Sequence, residues 1–206
     1  IPSFSLHYFT AVDEYTKYSA DTSLAQEVYE KLRSVLQVFL NRIQDGLVSP
    51  FTGKNYWNFY EWRTGMDGEP GVPSELDLLL NCLLVLALEH MVSISSALNK
   101  NGTEYSTVAD RLRKSIRKAF WRPQTGLYSN FISTDLYSEL GNALAVLCGA
   151  SCGEEAGEIA RKIMQNNAGL VPATLSMNGF VCDALLQTDR AAAQPFILSR
   201  IRSQYK

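Results

Sequence analysis

The sequence predicts an all-α fold: a partial (α/α)6 toroid of about eight helices in two concentric layers, with residues 1–206 as a single domain. Three observations predict it. Apolar residues recur at helical spacing almost from end to end. Helices that are apolar all round alternate with helices carrying one polar face. A string also repeats at long range: Asn81-Cys82-Leu83-Leu84-Val85-Leu86-Ala87 lines up with Asn142-Ala143-Leu144-Ala145-Val146-Leu147-Cys148, an offset of 61 residues. Tetratricopeptide, ankyrin and armadillo repeats have shorter periods, about 33 to 47 residues. Helices buried on both sides make an inner layer, and helices wetted on one side make an outer one.

The elements follow in order. Phe4, Tyr8, Phe9, Val12 and Tyr15 form the first stripe, with Ser3 as its expected N-cap. The second runs from Thr22 to Asp45 through Leu24, Val28, Leu32, Val35, Phe39, Leu40 and Ile43, with Gly46 as its stop. Gly46 to Pro73 is irregular, with five glycines and three prolines; so long a loop in a small domain is usually functional. Ser74 is expected to cap the third helix, with Glu75 and Asp77 in its first turn. Its run Leu78 to Leu88 is apolar except at Asn81, too short to span a bilayer and therefore buried on all sides. The fourth helix, from about Tyr105 to Trp121, carries Asp110, Arg111, Arg113, Lys114, Arg117 and Lys118. These charges read as a solvated face rather than a phosphate site, given the overall balance. The alternation continues through Leu136–Ala150, Glu154–Asn166, Leu175–Leu186 and Ala191–Lys206.

Composition sets limits on function. With 46% hydrophobic residues and a formal net charge of −2, the chain is neither disordered nor a binder that depends on an overall positive field, so no nucleic-acid partner is expected. No uninterrupted apolar run reaches bilayer length, so no membrane span is expected. The chain opens at Ile1 without a basic leader and closes in helical pattern, so it is expected to be a fragment cut at both ends. An incomplete ring leaves apolar edges, through which self-association is expected. Cys82, Cys148, Cys152 and Cys182 are too scattered for a disulfide framework or a zinc site, and no cofactor or metal is called for.

Chemistry concentrates in Asn55-Tyr56-Trp57-Asn58-Phe59-Tyr60-Glu61-Trp62-Arg63, with five aromatics in seven positions. Pyranose faces stack on aromatic rings while Asn and Glu take hydroxyls, so the string suits carbohydrate. An aromatic plug sealing the loop onto the barrel fits it equally well. Glu61 alone does not make a glycosidase pair, because that chemistry needs two carboxylates. Asp77, Asn81, Ser138, Glu139 and Asn178, near the starts of inner helices, either face a central funnel or act as caps; capping is the stronger reading for each.

These residues resemble the catalytic domain of family 78 glycoside hydrolases, the bacterial α-L-rhamnosidases. The string Trp57-Asn58-Phe59-Tyr60-Glu61-Trp62 is similar to the family's Trp-x-Phe-x-Asp-Trp motif, with Glu61 where Asp is commoner. The opening helix with its Tyr15-Thr16 to Ala20-Asp21 corner, then Gly126-Leu127-Tyr128, Asn142-Ala143-Leu144-Ala145, Thr174-Leu175-Ser176-Met177 and Phe180 to Leu185 follow in the family's order. The resemblance implies a six-hairpin glycosidase, an inverting hydrolysis of terminal α-L-rhamnosides and a rhamnoside as carbohydrate substrate. It implies a sugar subsite at Trp57, Asn58, Glu61 and Trp62. The family's acid and base motifs occur nowhere in these residues, so no catalytic residue is assigned and the fragment is expected to be inactive alone. Another six-hairpin enzyme, glucoamylase-like or acting on unsaturated glucuronides, is one alternative. A non-catalytic helical scaffold for protein partners is the other.

Overall fold

The computed structural model describes residues 1–72, 75–165 and 169–204. Proline starts α1 (Pro2–Ser19), where a missing N–H is no loss, and no side chain caps the helix. Ser3, the expected cap, lies inside the first turn, and its hydroxyl donates instead to the carbonyl of Phe59 at 2.5 Å. The amphipathic α2 (Ser23–Leu40) buries Ala25, Tyr29, Leu32, Leu36 and Phe39. It ends before Asp45 because the next residues pair as an antiparallel ribbon, β1 (Ile43–Gln44) with β2 (Leu47–Val48). Gly46 is therefore not a helix stop. With Asp45 it makes the two-residue turn, at φ 51° and 84°, a type I′ geometry in which glycine is favoured.

Then come α3 (Leu78–Ala97), α4 (Thr103–Phe120), a second ribbon of β3 (Trp121–Arg122) and β4 (Leu127–Tyr128), α5 (Glu139–Leu147), α6 (Gly153–Gln165), α7 (Asn178–Thr188) and α8 (Arg190–Gln204). Ser74 lies outside the described residues, and the cap of α3 is Asp77, whose carboxylate accepts from the Leu80 amide at 2.7 Å. Ser138 caps α5 in the same way, accepting from Gly141 at 2.9 Å.

The odd-numbered helices pack side by side, α1 on α3, α3 on α5 and α5 on α7, and the even-numbered ones lie outside them. The alternation read from the sequence is sharpest in the middle. Leu78 to Val85 of α3 and Glu139 to Val146 of α5 are buried at every position. At the two ends it weakens: α1 exposes Phe4, Tyr8, Tyr15 and Tyr18, and α7 buries only Asn178, Val181, Ala184 and Leu185. Each of these end helices packs extensively on one inner neighbour, α1 on α3 and α7 on α5, and the two meet each other through His7 and Phe180. Length does not exclude a membrane span for α3 as expected, since its 20 residues with mean hydropathy 1.9 are long and apolar enough. Burial decides the matter, because 72% of that window is covered by the rest of the fold.

Two of the α4 cations reach neighbouring helices of both layers. Arg113 reaches Glu89, Asp110 at 2.7 Å and the Cys148 carbonyl at 2.6 Å, and Arg117 pairs with Glu155 at 2.5 Å. The four cysteines are free thiols.

The 61-residue repeat has a structural meaning. Asn81 Oδ1 accepts from the Val48 amide at 2.8 Å, while its Nδ2 donates to the carbonyls of Val48 and Asp77. Asn142 does the same to Tyr128 and Ser138. In each unit a buried carboxamide stands in for a neighbouring strand, locking the ribbon to the first turn of the inner helix.

Candidate functional site

After β2, residues 49–72 run past the starts of α1 and α3, to which Phe59 and Tyr60 bond. They hold their shape because successive residues fasten to different parts of the molecule. Trp57 donates its indole N–H to the Asp67 carbonyl at 2.7 Å. The Asn58 carboxamide closes on Phe51, donating to its carbonyl at 2.8 Å and accepting from its amide at 3.2 Å. Phe59 offers its carbonyl to Ser3 on α1. Tyr60 donates its hydroxyl to Asp77 Oδ2 at 2.8 Å, and Glu61 Oε2 accepts from the Thr174 amide at 2.6 Å. The amides of Tyr60 and Glu61 both reach the Met66 carbonyl, turning the chain back on itself. Gly68 permits that return, since a Cβ there would lie 2.5 Å from the Asn58 carbonyl oxygen.

One strap thus ties the starts of α1 and α3 and the segment entering α7. Trp62, which follows Glu61 in the strap, is left 68% exposed. The Trp62 ring meets Phe59 edge-on at 4.8 Å and Trp57 at 5.8 Å, and Phe59 in turn meets Phe4 at 5.9 Å. The result is an aromatic ledge, continued by His7, which packs between Phe4 and Phe180. Burial lowers the His7 imidazole from its usual range, disfavouring the charged form.

Under the ledge lie three carboxylates. Asp77 is fully buried, and desolvation lifts it to about 6 against the opposing bonds from Leu80 and Tyr60. Burial first, and the Asp77 charge after it, push the Tyr60 phenol well up. Glu61 is 1% exposed, and desolvation raises it although the Thr174 amide favours the ionised form. Its Oε1 has no hydrogen-bond partner among the described residues. Glu139 is buried against Arg200, which grips it with two guanidinium nitrogens at 3.0 and 2.6 Å, and its Oε2 also accepts from the Ala173 amide at 2.9 Å. Among the described residues no three His, Cys, Asp or Glu side chains are grouped to hold a metal.

The four residues singled out from the sequence therefore part company. Trp62 presents a free face and Trp57 is half-buried beside it. Asn58 is 7% exposed, with its carboxamide engaged by Phe51, so it shapes the loop from within. Glu61 lies beneath the ledge as a fastening. Among the inner-helix polar residues, Asp77, Asn81 and Ser138 act as caps and backbone anchors, and Glu139 is an ion-pair partner. Asn178 is buried in the first turn of α7. Sequence reasoning missed Ser3, Thr174 and Arg200 as partners of the loop and its support. Only Arg200 left a trace, a cation amid Phe196, Ile197, Leu198 and Ile201.

Comparison with known proteins gives the same architecture. Residues 3–191 match the family described as the bacterial alpha-L-rhamnosidase 6 hairpin glycosidase domain. A GH78 family rhamnosidase of Bacillus sp. GL1 superposes with a TM-score of 0.86 and 23% identity, over 100% of this chain and 21% of that one. A rhamnosidase from Klebsiella oxytoca with rhamnose bound gives a TM-score of 0.80 and 18% identity, over 98% of this chain and 37% of that one. The chain spans less than half the length of either. A search of curated proteins returns no match. With its inner and outer helices in sequence order and its family match covering nearly the whole chain, this protein belongs to the bacterial α-L-rhamnosidase six-hairpin glycosidase domain family.

Proposed function

We propose that this chain forms barrel wall and part of the sugar subsite of a glycoside hydrolase that releases terminal α-L-rhamnose by inverting hydrolysis. The observation that carries the reading is the exposed Trp62 ring, held by a strap in which every preceding residue from Trp57 to Glu61 is fastened elsewhere. A ring presented to solvent on a rigid support suits the C–H face of a pyranose, because little order is lost when the sugar arrives. Trp57 extends that surface. Asn58 and Glu61 belong to the subsite by fixing its shape.

The general acid and base are supplied from outside residues 1–206. An inverting pair needs one carboxylic acid and one carboxylate, roughly 6.5 to 9.5 Å apart, flanking the bond. Glu139 is neutralised by Arg200, Asp77 caps a helix, and Glu61 is held by a peptide N–H, so these three serve the scaffold.

Calorimetric titration of L-rhamnose into the protein carrying this chain tests the subsite. W62A is expected to weaken binding by about 2 kcal/mol, near thirtyfold, as for a central aromatic contact. Unchanged affinity in W62A would overturn the assignment. Residues 1–206 alone are expected to leave an aryl α-L-rhamnoside unhydrolysed, and turnover at the rate of a complete enzyme would bring the acid and base back inside the chain.

A further inference from the structure

We infer that Arg200 on α8 is a positioning residue for the carbohydrate site, acting through Glu139 and the 170–174 segment on the Glu61 fastening of the aromatic strap. This rests on the reading of that strap as a sugar subsite.

A guanidinium is rarely buried unless it is paired, since leaving water costs several kcal/mol. Arg200 is 7% exposed on a helix whose neighbouring Leu198 and Ile201 face outward. It crosses 61 residues of sequence to hold Glu139, the first residue of α5, in a bidentate fork. Its Nε has no partner among the described residues, so Glu139 is what keeps it there.

Glu139 also accepts from Ala173, and the next amide, Thr174, donates to Glu61. Two carboxylates from distant elements therefore grip consecutive peptide groups. The same segment is laced to α5 through Val171, whose carbonyl accepts from the Glu139 amide and whose amide donates to the Tyr137 carbonyl, both at 2.9 Å. Among the described residues the guanidinium pairs with Glu139 alone and bears on Glu61 only through it, while the cation that acts on Glu61 directly is Arg63. Without Arg200, the Glu139 charge faces Glu61 across a single peptide unit, and repulsion works against the bond that seats the strap. The Glu139 charge already acts to raise the Glu61 carboxyl. Removing both charges restores neutrality, and the carboxamide that E139Q introduces keeps an oxygen for the Ala173 N–H.

The test compares R200M, R200K and the double variant E139Q/R200M in the protein carrying this chain. Two quantities are read: amide hydrogen exchange over residues 57–63 and 170–174, and L-rhamnose affinity by calorimetry. R200M is expected to speed exchange in both segments and to weaken L-rhamnose binding about tenfold, the effect of a displaced contact surface. R200K, which keeps the charge and loses the fork, falls between. E139Q/R200M recovers slow exchange in 57–63 and most of the affinity. A purely structural role predicts the opposite ranking, with the double variant no better than R200M. If R200M changes exchange only around α8 and leaves 57–63 untouched, the inference is overturned. Should R200M fail to fold, R200K equal to wild type in both readouts overturns it equally. If wild-type protein does not bind L-rhamnose, the subsite reading falls while the exchange comparison still decides the coupling.

Discussion

The hairpin units that end in α3 and α5 are fastened alike and filled differently. Each places an amphipathic outer helix, a four-residue ribbon and a buried inner helix in succession, and each locks the ribbon with an Asn four residues after the cap, Asn81 or Asn142. The cap is Asp77 in one unit and Ser138 in the other. The connection between ribbon and cap runs over residues 49–76 in the first unit but only 129–137 in the second. The extra chain in the first unit is the strap with its exposed Trp62. The short connection of the second unit supports the first, because the Asn130 carbonyl receives the Leu78 amide at the start of α3. The two units thus share their internal bonds and differ in one elongated loop that carries the exposed Trp62, where added length costs little closure entropy.

The deepest test of this comparison removes the shared anchors. N81A and N142A each strand buried ribbon and helix groups, and each is expected to lower stability in urea unfolding by roughly 3–5 kcal/mol. A loss below about 1 kcal/mol in one of them would show that the units are fastened differently.

The caps differ in whether they titrate. Asp77 is raised by burial from 3.8 to about 6, so the native state holds that proton more tightly than the unfolded chain does. The stability from this group is fully present below pH 3.8 and is lost as the pH rises through about 6, by up to about 3 kcal/mol. D77S copies the second unit and is expected to remove that slope. A stability difference between wild type and D77S that stays constant across the window would contradict it.

A smaller effect separates the connections. Y60F deletes the hydroxyl bond to Asp77 and is expected to lower stability at neutral pH by about 1.5 kcal/mol, with faster amide exchange confined to 49–76. Exchange spread into 129–137 would mean that the two connections move as one. Least costly to the fold is W62A, expected within about 0.5 kcal/mol of wild type because the ring is exposed. A larger loss of melting stability would make Trp62 a plug rather than a ledge.

The helices and their layering were legible because burial imprints a local period. Leu78 to Leu88 reads as enclosed on every side, and the Asn81 and Asn142 strings align by eye. Helix ends were harder to read. Ser3 looks like a cap but bonds to Phe59, and Gly46 looks like a stop but turns a ribbon, because each answers to a partner outside its own helix. Within the site, Asn58 and Trp62 stand four residues apart with equal claims on a sugar, and one is enclosed while the other faces solvent.

By itself the sequence determined the class of fold, the count and order of helices, and the loop where polar and aromatic groups gather, since periodicity and composition are properties of neighbouring residues. Only the tertiary structure decided which of those groups face outward and which fasten the loop. The bonds that settle it, Ser3 to Phe59, Thr174 to Glu61 and Arg200 to Glu139, join residues 56, 113 and 61 positions apart, and no local pattern records a partner at that distance.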